Sequence, residues 1–573
     1  MRRNRGTGRR RSRTAAALLL SCLMVLAACG PDQEEPPEAD DAEDVADVGD
    51  IEDVEDVEDV EATERQRVLV VGVEDDPTAL GYDPDFGGGL PLRSMLVKNI
   101  AAQWFQYERM PETDEGVIPV DETSFTGDIM ESWEVSDDGT TIHLRLREGL
   151  EPHFPEGAGE LTTADLECWQ DRVFEADSGS TWVHTTAGVH GQDQITMESD
   201  HDIRIELDEP NPLFFALFRD QSATIVDCSW KDHVTDDDPF GTGELSQRPH
   251  TPGPWMVSDV IAGSELRLTW NEDWYLEEPF FREVHLRYIP SSTERAQMLR
   301  TGEIDLATGL SSDELDSLRG EDGVKVWSVP SRNQATMGLN HGMEPFDDVR
   351  VRQAIAHAVP YDDIIEAAFG GRVEQSAGGP IPLQSAWPVD VSWPYDHDPD
   401  RASELLAEAG FADGFSFDVA ITADNEAAET MAILIQDSLR QIGVDMTIQP
   451  DTEAVFNERQ FGAEYQAYIS DQWNSFVDAP FYYLNIFYAS DLYCCNFMAY
   501  GNPRVDELRD ELAVTIEEDE IMPLWTEAAQ ILVDDVAVVS IADLNWEIAS
   551  SDDIRGLVVE PDSLLSLYEL RRE

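Results

Sequence analysis

"PFDDVRVRQAIAHAV", residues 345 to 359, opens on a proline and two acids, then repeats apolar side chains at helical spacing. Asp347 or Asp348 can cap a helix, because a carboxylate there accepts from the orphan N–H groups of the first turn. Val351, Ala354, Ile355 and Ala358 then share one face and predict a helix with that face buried. Working outward, "DPDRASELLAEAG" (398–410) has Asp398 as N-cap, Pro399 at the first helical position and Gly410 as the stop. "ETMAILIQDSLRQIG" (429–443) places Met431, Leu434, Ile435, Leu439 and Ile442 on one face, and "VDMTIQP" (444–450) alternates as a strand. Toward the N-terminus, two-residue alternation takes over in "TIHLRLREG" (141–149), "DIRIELDEP" (202–210), "SELRLTW" (264–270) and "REVHLRYIP" (282–290). Asp137, Asp138 and Gly139 mark a tight turn leading into the first of these, so a hairpin is expected there. The chain reads as mixed α/β, β-rich first and more regularly α/β later.

The N-terminus has another character. Seven arginines and no acid lie in the first thirteen residues, followed by the short apolar run "TAAALLLSCLMVLAA" (14–28). Such a run is too short to span a bilayer, and its flanks are those of a secretory signal peptide at 1–28. Leu26-Ala27-Ala28-Cys29 resembles the lipobox of bacterial lipoproteins, which implies a lipid anchor on Cys29, with two acyl chains giving firm membrane residence. Residues 31 to 64 hold eighteen acids and no base; single valines between them build no apolar face, so 29–64 reads as a disordered acidic tether.

Taking the seven arginines and eighteen acids from the formal −80 leaves −69 on residues 65–573. No basic footprint for nucleic acid remains, and so acidic a body suits a salty habitat, where ions screen its self-repulsion. The length calls for at least two domains. Outside the signal and the anchor, Cys168, Cys228, Cys494 and Cys495 remain; exported thiols can pair in three ways, and none has zinc spacing, so no metal is expected. There is no G-x-S-x-G, H-E-x-x-H, P-loop or strand-linked G-x-G-x-x-G, and "FGGGLP" (86–91) reads as a loop. The chain is therefore not read as an enzyme and needs no cofactor.

"DIMESWEVSDDGTTIHLRLREGLEPH" (128–153), "LTTADLECWQDRV" (161–173), "TPGPWMVSDVIAGSELRLTWNEDWY" (251–275), "TERAQMLRTGEIDLA" (293–307) and "MGLNHGMEPFDDVRVRQAIAHAV" (337–359) occur in that order. "DPDRASELLAEAGFADGF" (398–415), "NPRVDELRDE" (502–511) and "DIRGLVVEPD" (553–562) follow. Together they resemble the family-5 solute-binding proteins of peptide-type ABC importers, over nearly all of residues 67–573. The resemblance implies a two-lobe periplasmic-binding-protein-like fold of type II with a β-rich first lobe and two hinge crossings, near 327–340 and 538–546. Lobe I would hold 65–330 plus 541–573, and lobe II 331–540. It also implies a monomer that delivers a peptide or other small solute to a permease and ATPase complex at the outer face of the membrane, in the periplasm or on the cell surface; the alternative from another class is a secreted enzyme or surface interaction protein that keeps only the fold.

In many peptide binders of the family, W-x-x-D-x-x-D-P supplies an aspartate for the peptide's α-ammonium. Here "WNSFVDAP" keeps Trp473 and Pro480 but places Phe476 at the aspartate position, with Asp478 two residues on. Phenylalanine offers an ammonium a cation–π contact but no salt bridge, so α-amine recognition is expected to be weak unless another carboxylate takes the role. Trp473, Asn474, Phe476, Asp478 and Tyr482 are the candidate ligand contacts. Ten of the chain's fifty aromatics fall within 473–500, enough to build core and also to line an apolar pocket for a non-peptide solute such as a nickel complex, an opine or an oligosaccharide.

Overall fold

The computed structural model describes residues 66–573 apart from 86–90, 177–178, 424, 474–476, 492–494, 516 and 561–564. The signal peptide, Cys29 and the acidic tether lie outside the described residues, as do Asn474, Phe476 and Cys494. Contacts divide the chain into Met1–Glu58 and Asp59–Glu573, and the fold is that of the second unit.

Two long strands organise it. The outgoing strand Val324–Leu339 and the return strand Val539–Ser551 pair antiparallel from Val324↔Ser551 to Met337↔Val539, in the middle of an eleven-stranded sheet. On the return strand's far side lie, in order, Leu306–Ala307, Val68–Val73, Glu283–Tyr288, Glu265–Trp270 and Trp255–Ile261. On the outgoing strand's far side lie Ala467–Trp473, Ser416–Thr422 and Asp445–Asp451. The two flanks attach at opposite ends of the central pair: Leu306 pairs with Ser550, whereas Leu339 pairs with Ala467. The central pair therefore crosses from one half to the other twice, which is the two-crossing layout expected. Pairing between the two strands is interrupted between Pro330 and Gln334. Pro330 has no N–H to give a ladder, and an interruption of this kind lets a strand re-aim its side chains. Arg332, only 1% exposed, sits in it.

The opening stretch folds as its pattern requires. The helix Val349–Ala358 begins at Asp348, whose side chain accepts from Arg350 N; Val351, Ala354, Ile355 and Ala358 are fully buried. Burying the larger two contributes about 1.5–3 kcal/mol each before entropy is charged. Replacing the cap by alanine would cost about 1 kcal/mol. Asp398 caps Pro399–Ala409, and Gly410 ends it at φ +97°, a conformation that disfavours any side chain. The hairpin is present too: Met130–Val135 pairs with Thr141–Leu146 across Gly139 at φ +72°, within a four-stranded antiparallel sheet. Of the glycine-rich "FGGGLP", residues 86–90 lie outside the described residues; a helix, Pro91–Ile100, starts at its proline, with Leu92, Met95 and Leu96 buried and Lys98 in its last turn, far from a phosphate-loop position.

Cys168 and Cys228 form a disulfide with Cα atoms 6.1 Å apart, packed among Trp169, Val173 and Trp230. Cys495 is also disulfide-bonded. Among the described residues no helix is long and apolar enough to cross a membrane.

Candidate functional site

The interruption in the outgoing strand points Arg332 at two carboxylates from opposite halves of the molecule. Glu122, on the strand Val120–Gly127 of the first half, accepts a short hydrogen bond from Arg332 Nη1. Asp478, from the second half, faces the same guanidinium and is held by Ser385 Oγ at 2.8 Å and by Ala386 N. Trp387 Nε1 donates to the Asp478 carbonyl at 3.1 Å, which clamps the loop. Tyr107 and Tyr483 complete the surroundings of the guanidinium.

Charge count governs the electrostatics. Burial opposes the charge on Arg332, but Glu122 and Asp478 hold its pKa above the ordinary arginine value. Partial burial pushes Glu122 up to about 7, with Arg332 and Arg219 opposing and Asp478 adding to the rise. Burial raises Asp478 as well, against the pull of Arg332.

Beside Arg332 opens a cavity of about 600 Å³, lined by Pro119, Glu122, Val329, Ser331 and Arg332 and, from the second half, Gln384. That volume holds a small solute. The halves also touch through Trp182 and Tyr482, edge to face at 6.2 Å. Further along the central pair, Gln334 Nε2 donates to Asp543 Oδ1 at 2.9 Å, tying the two crossing strands together. Burial raises Asp543 to about 6, opposed mainly by Gln334.

Of the residues picked from sequence, Asp478 and Tyr482 are buried at the meeting of the halves. Trp473 closes its strand, paired in register with Gln334. Asp478 neither faces solvent nor stands unclaimed, since Ser385 and Ala386 already engage it and the charge of Arg332 acts on it as well. Sequence reasoning missed Tyr107, Glu122, Arg332, Gln334 and Asp543. A signal existed for two of them: Arg332 and Asp543 are single charges within the strand-like runs "WSVPSRNQATMGL" and "VVSIADLNW". Glu122, in "VDETSFTG", carries none. The aromatic cluster after Trp473 is mostly core, with Tyr482, Tyr483, Phe487, Tyr488 and Tyr500 buried and Tyr483 stacked on Trp525. Among the described residues no group of three His, Cys, Asp or Glu could hold a metal ion.

Known proteins share this architecture. The chain is 26% identical over 507 residues to a probable D,D-dipeptide-binding periplasmic protein of Escherichia coli K12, covering 86% of this chain and 92% of that one. The solved structure of the periplasmic binding protein DppA of Helicobacter pylori, in complex with the peptide STSA, superposes with a TM-score of 0.76 at 22% identity, over 89% of this chain and all of that one. The binding protein AgaA of A. tumefaciens R10, in complex with agropinic acid, superposes at 0.74 with 19% identity, over 88% and 99%. Residues 124–493, more than half of the chain, match the description "Bacterial extracellular solute-binding proteins, family 5 Middle". The chain belongs to the bacterial extracellular solute-binding proteins of family 5, on a two-lobe fold of the type II periplasmic binding proteins.

Proposed function

We propose that this protein is the exported solute-binding lipoprotein of an ABC importer. It would capture a peptide between lobe I (65–330 plus 541–573) and lobe II (331–540) and hand it to the membrane permease and its ATPase. The observation that carries this reading is the cavity of about 600 Å³ beside Arg332, whose walls come from both halves and from the strand that joins them. A site built this way needs no catalytic group. Closing the two lobes removes the solute from water, and the closed shape is what a permease can recognise. The acidic segment 29–64 would let a monomeric body stand off the membrane to which Cys29 is fixed. Peptide is favoured because the E. coli relative is named for a dipeptide and the H. pylori structure holds the peptide STSA.

Phe476 favours a second reading, in which the same machine carries a non-peptide solute; the neighbour that holds agropinic acid accords with it. Native mass spectrometry of the protein purified from its own membrane tests both. A retained peptide mass supports the first and a retained non-peptide mass the second. A protein that binds neither peptides nor any co-purifying solute would sink the binding role. The anchor has its own check: wild type should carry a diacylglyceryl mass on Cys29, and Cys29→Ala should lose it and leave the membrane fraction.

A further inference from the structure

Three carboxylates stand where the halves meet, Glu122 partly buried and Asp478 and Asp543 buried, and they differ in what is left over. Glu122 is engaged by Arg332, and Asp478 by Ser385 and Ala386 N, with the charge of Arg332 acting on it as well. Asp543 is 7% exposed, and only its Oδ1 is engaged, by Gln334 Nε2 at 2.9 Å and Leu383 N at 3.4 Å. Its Oδ2 is buried and accepts no hydrogen bond; among the described residues no other carboxylate oxygen is in that condition. Ser376 lies close to this carboxylate, but its hydroxyl makes no hydrogen bond to Oδ2. Gln334 is in the same situation: its Nε2 serves Asp543, Ser376 and Gly379, while its Oε1 is buried without a partner. Two buried acceptors with spare lone pairs, one of them anionic, call for a group that only donates, and ammonium and guanidinium are such groups.

The surroundings leave room for one. Asp543 lines a pocket of about 200 Å³ with Arg372, Glu374, Leu383, Gln384 and Asn545, and Gln384 also lines the larger cavity beside Arg332. The pocket's own cation, Arg372, pairs with Asp316 at 2.7 Å and Glu547 at 3.4 Å, although its Nε is buried without a hydrogen-bond partner. Register places the pocket near the family's recognition segment: Trp473, Gln334 and Asp543 stand in one row across three adjacent strands, about 10 Å from end to end.

We propose that Asp543, seated by Gln334 on the two crossing strands, receives the positively charged group of the captured solute, an ammonium or guanidinium, in place of the aspartate that Phe476 replaces. This rests on the solute-binding reading above. It makes the hinge itself a reader of ligand charge.

The full-length, membrane-extracted protein and its Asp543→Asn variant are offered an equimolar mixture of dipeptides and their N-acetylated counterparts, with retention read by native mass spectrometry. In a second arm, melting is followed with methylammonium or guanidinium chloride at ionic strength fixed by NaCl. Wild type should retain free-amine dipeptides over acetylated ones, and Asp543→Asn, which keeps an oxygen for Gln334, should lose that retention at least tenfold. Equal retention of both peptide forms, or a variant indistinguishable from wild type, overturns the proposal. If wild type retains no dipeptide of either form, the peptide reading fails and the small cations decide: a rise in wild-type melting that the variant lacks upholds Asp543, and an equal rise rejects it. Should the variant not fold, a wild-type crystal soaked in guanidinium settles the matter, with guanidinium at Oδ2 for the proposal and only water there against it.

Discussion

Two arginine–carboxylate clusters lie in this molecule, built from the same side chains with opposite results. In the first half, Glu560 accepts from Arg109 at 2.8 Å and Arg219 at 3.2 Å, with Lys98 nearby; Arg109 also pairs with Glu569 at 3.1 Å, and Arg219 lies 4.3 Å over the Tyr107 ring. Burial works against the carboxylate, yet Arg109, Lys98 and Arg219 hold Glu560 down at about 2. At the meeting of the halves Glu122 is pushed up to about 7 by desolvation, with Asp478 adding to the rise and Arg332 and Arg219 pulling against it. The first cluster holds a lobe together. The second has less positive charge about its acids; both border the cavity beside Arg332, since Glu560 lines it together with Glu122.

The largest effect should come from removing the cation that the second cluster cannot spare. Arg332→Met leaves Asp478 buried with no counter-charge and Glu122 with only the weaker pull of Arg219, and we expect a loss of about 3–5 kcal/mol, read as a large fall in melting temperature at pH 8. Glu560→Gln should cost less, about 2 kcal/mol, because Arg109 keeps Glu569 and Arg219 keeps its stacking on Tyr107. A Glu560→Gln loss exceeding that of Arg332→Met would invert the comparison.

The pH dependences should run in opposite directions. The pKa of Glu560 is depressed on folding, so its contribution is present at neutral pH and lost as pH falls from about 4.5 through about 2. That of Glu122 is raised, so its contribution is greatest below about 4.5 and declines as pH rises through about 7. Melting curves against pH should therefore diverge from wild type below pH 4.5 for Glu560→Gln and between pH 4.5 and 7 for Glu122→Gln. Parallel curves would remove the distinction between the clusters. The smallest effect is common to both: screening the surplus of 69 negative charges on residues 65–573 should raise melting by several degrees from low to molar NaCl. A flat midpoint would deny that self-repulsion matters here.

Much of the fold was legible because its signals are local. The cap at Asp348 and the face of Val351, Ala354, Ile355 and Ala358 lie within one helix, and the Gly139 turn joins strands a few residues apart. The helix after the glycine stretch also had a local sign in Pro91, at its first position. The candidate site was legible only in part. Trp473, Asp478 and Tyr482 belong to one segment and one family motif, whereas Glu122 and Arg332 lie 210 residues apart, and Gln334 and Asp543 lie 209 apart.

From its residues alone the chain determines the order of its helices and strands, its acidity, and membership of its family. These rest on spacing along the chain and on composition, which need no partner from elsewhere. Which carboxylate is sated and which keeps a free oxygen was decided by tertiary structure. That depends on strand register around the interruption at Pro330–Gln334 and on which groups burial brings within hydrogen-bond reach. Asp543 is one acid among 118 in the sequence, and only the packing of two strands from distant parts of the chain sets it apart.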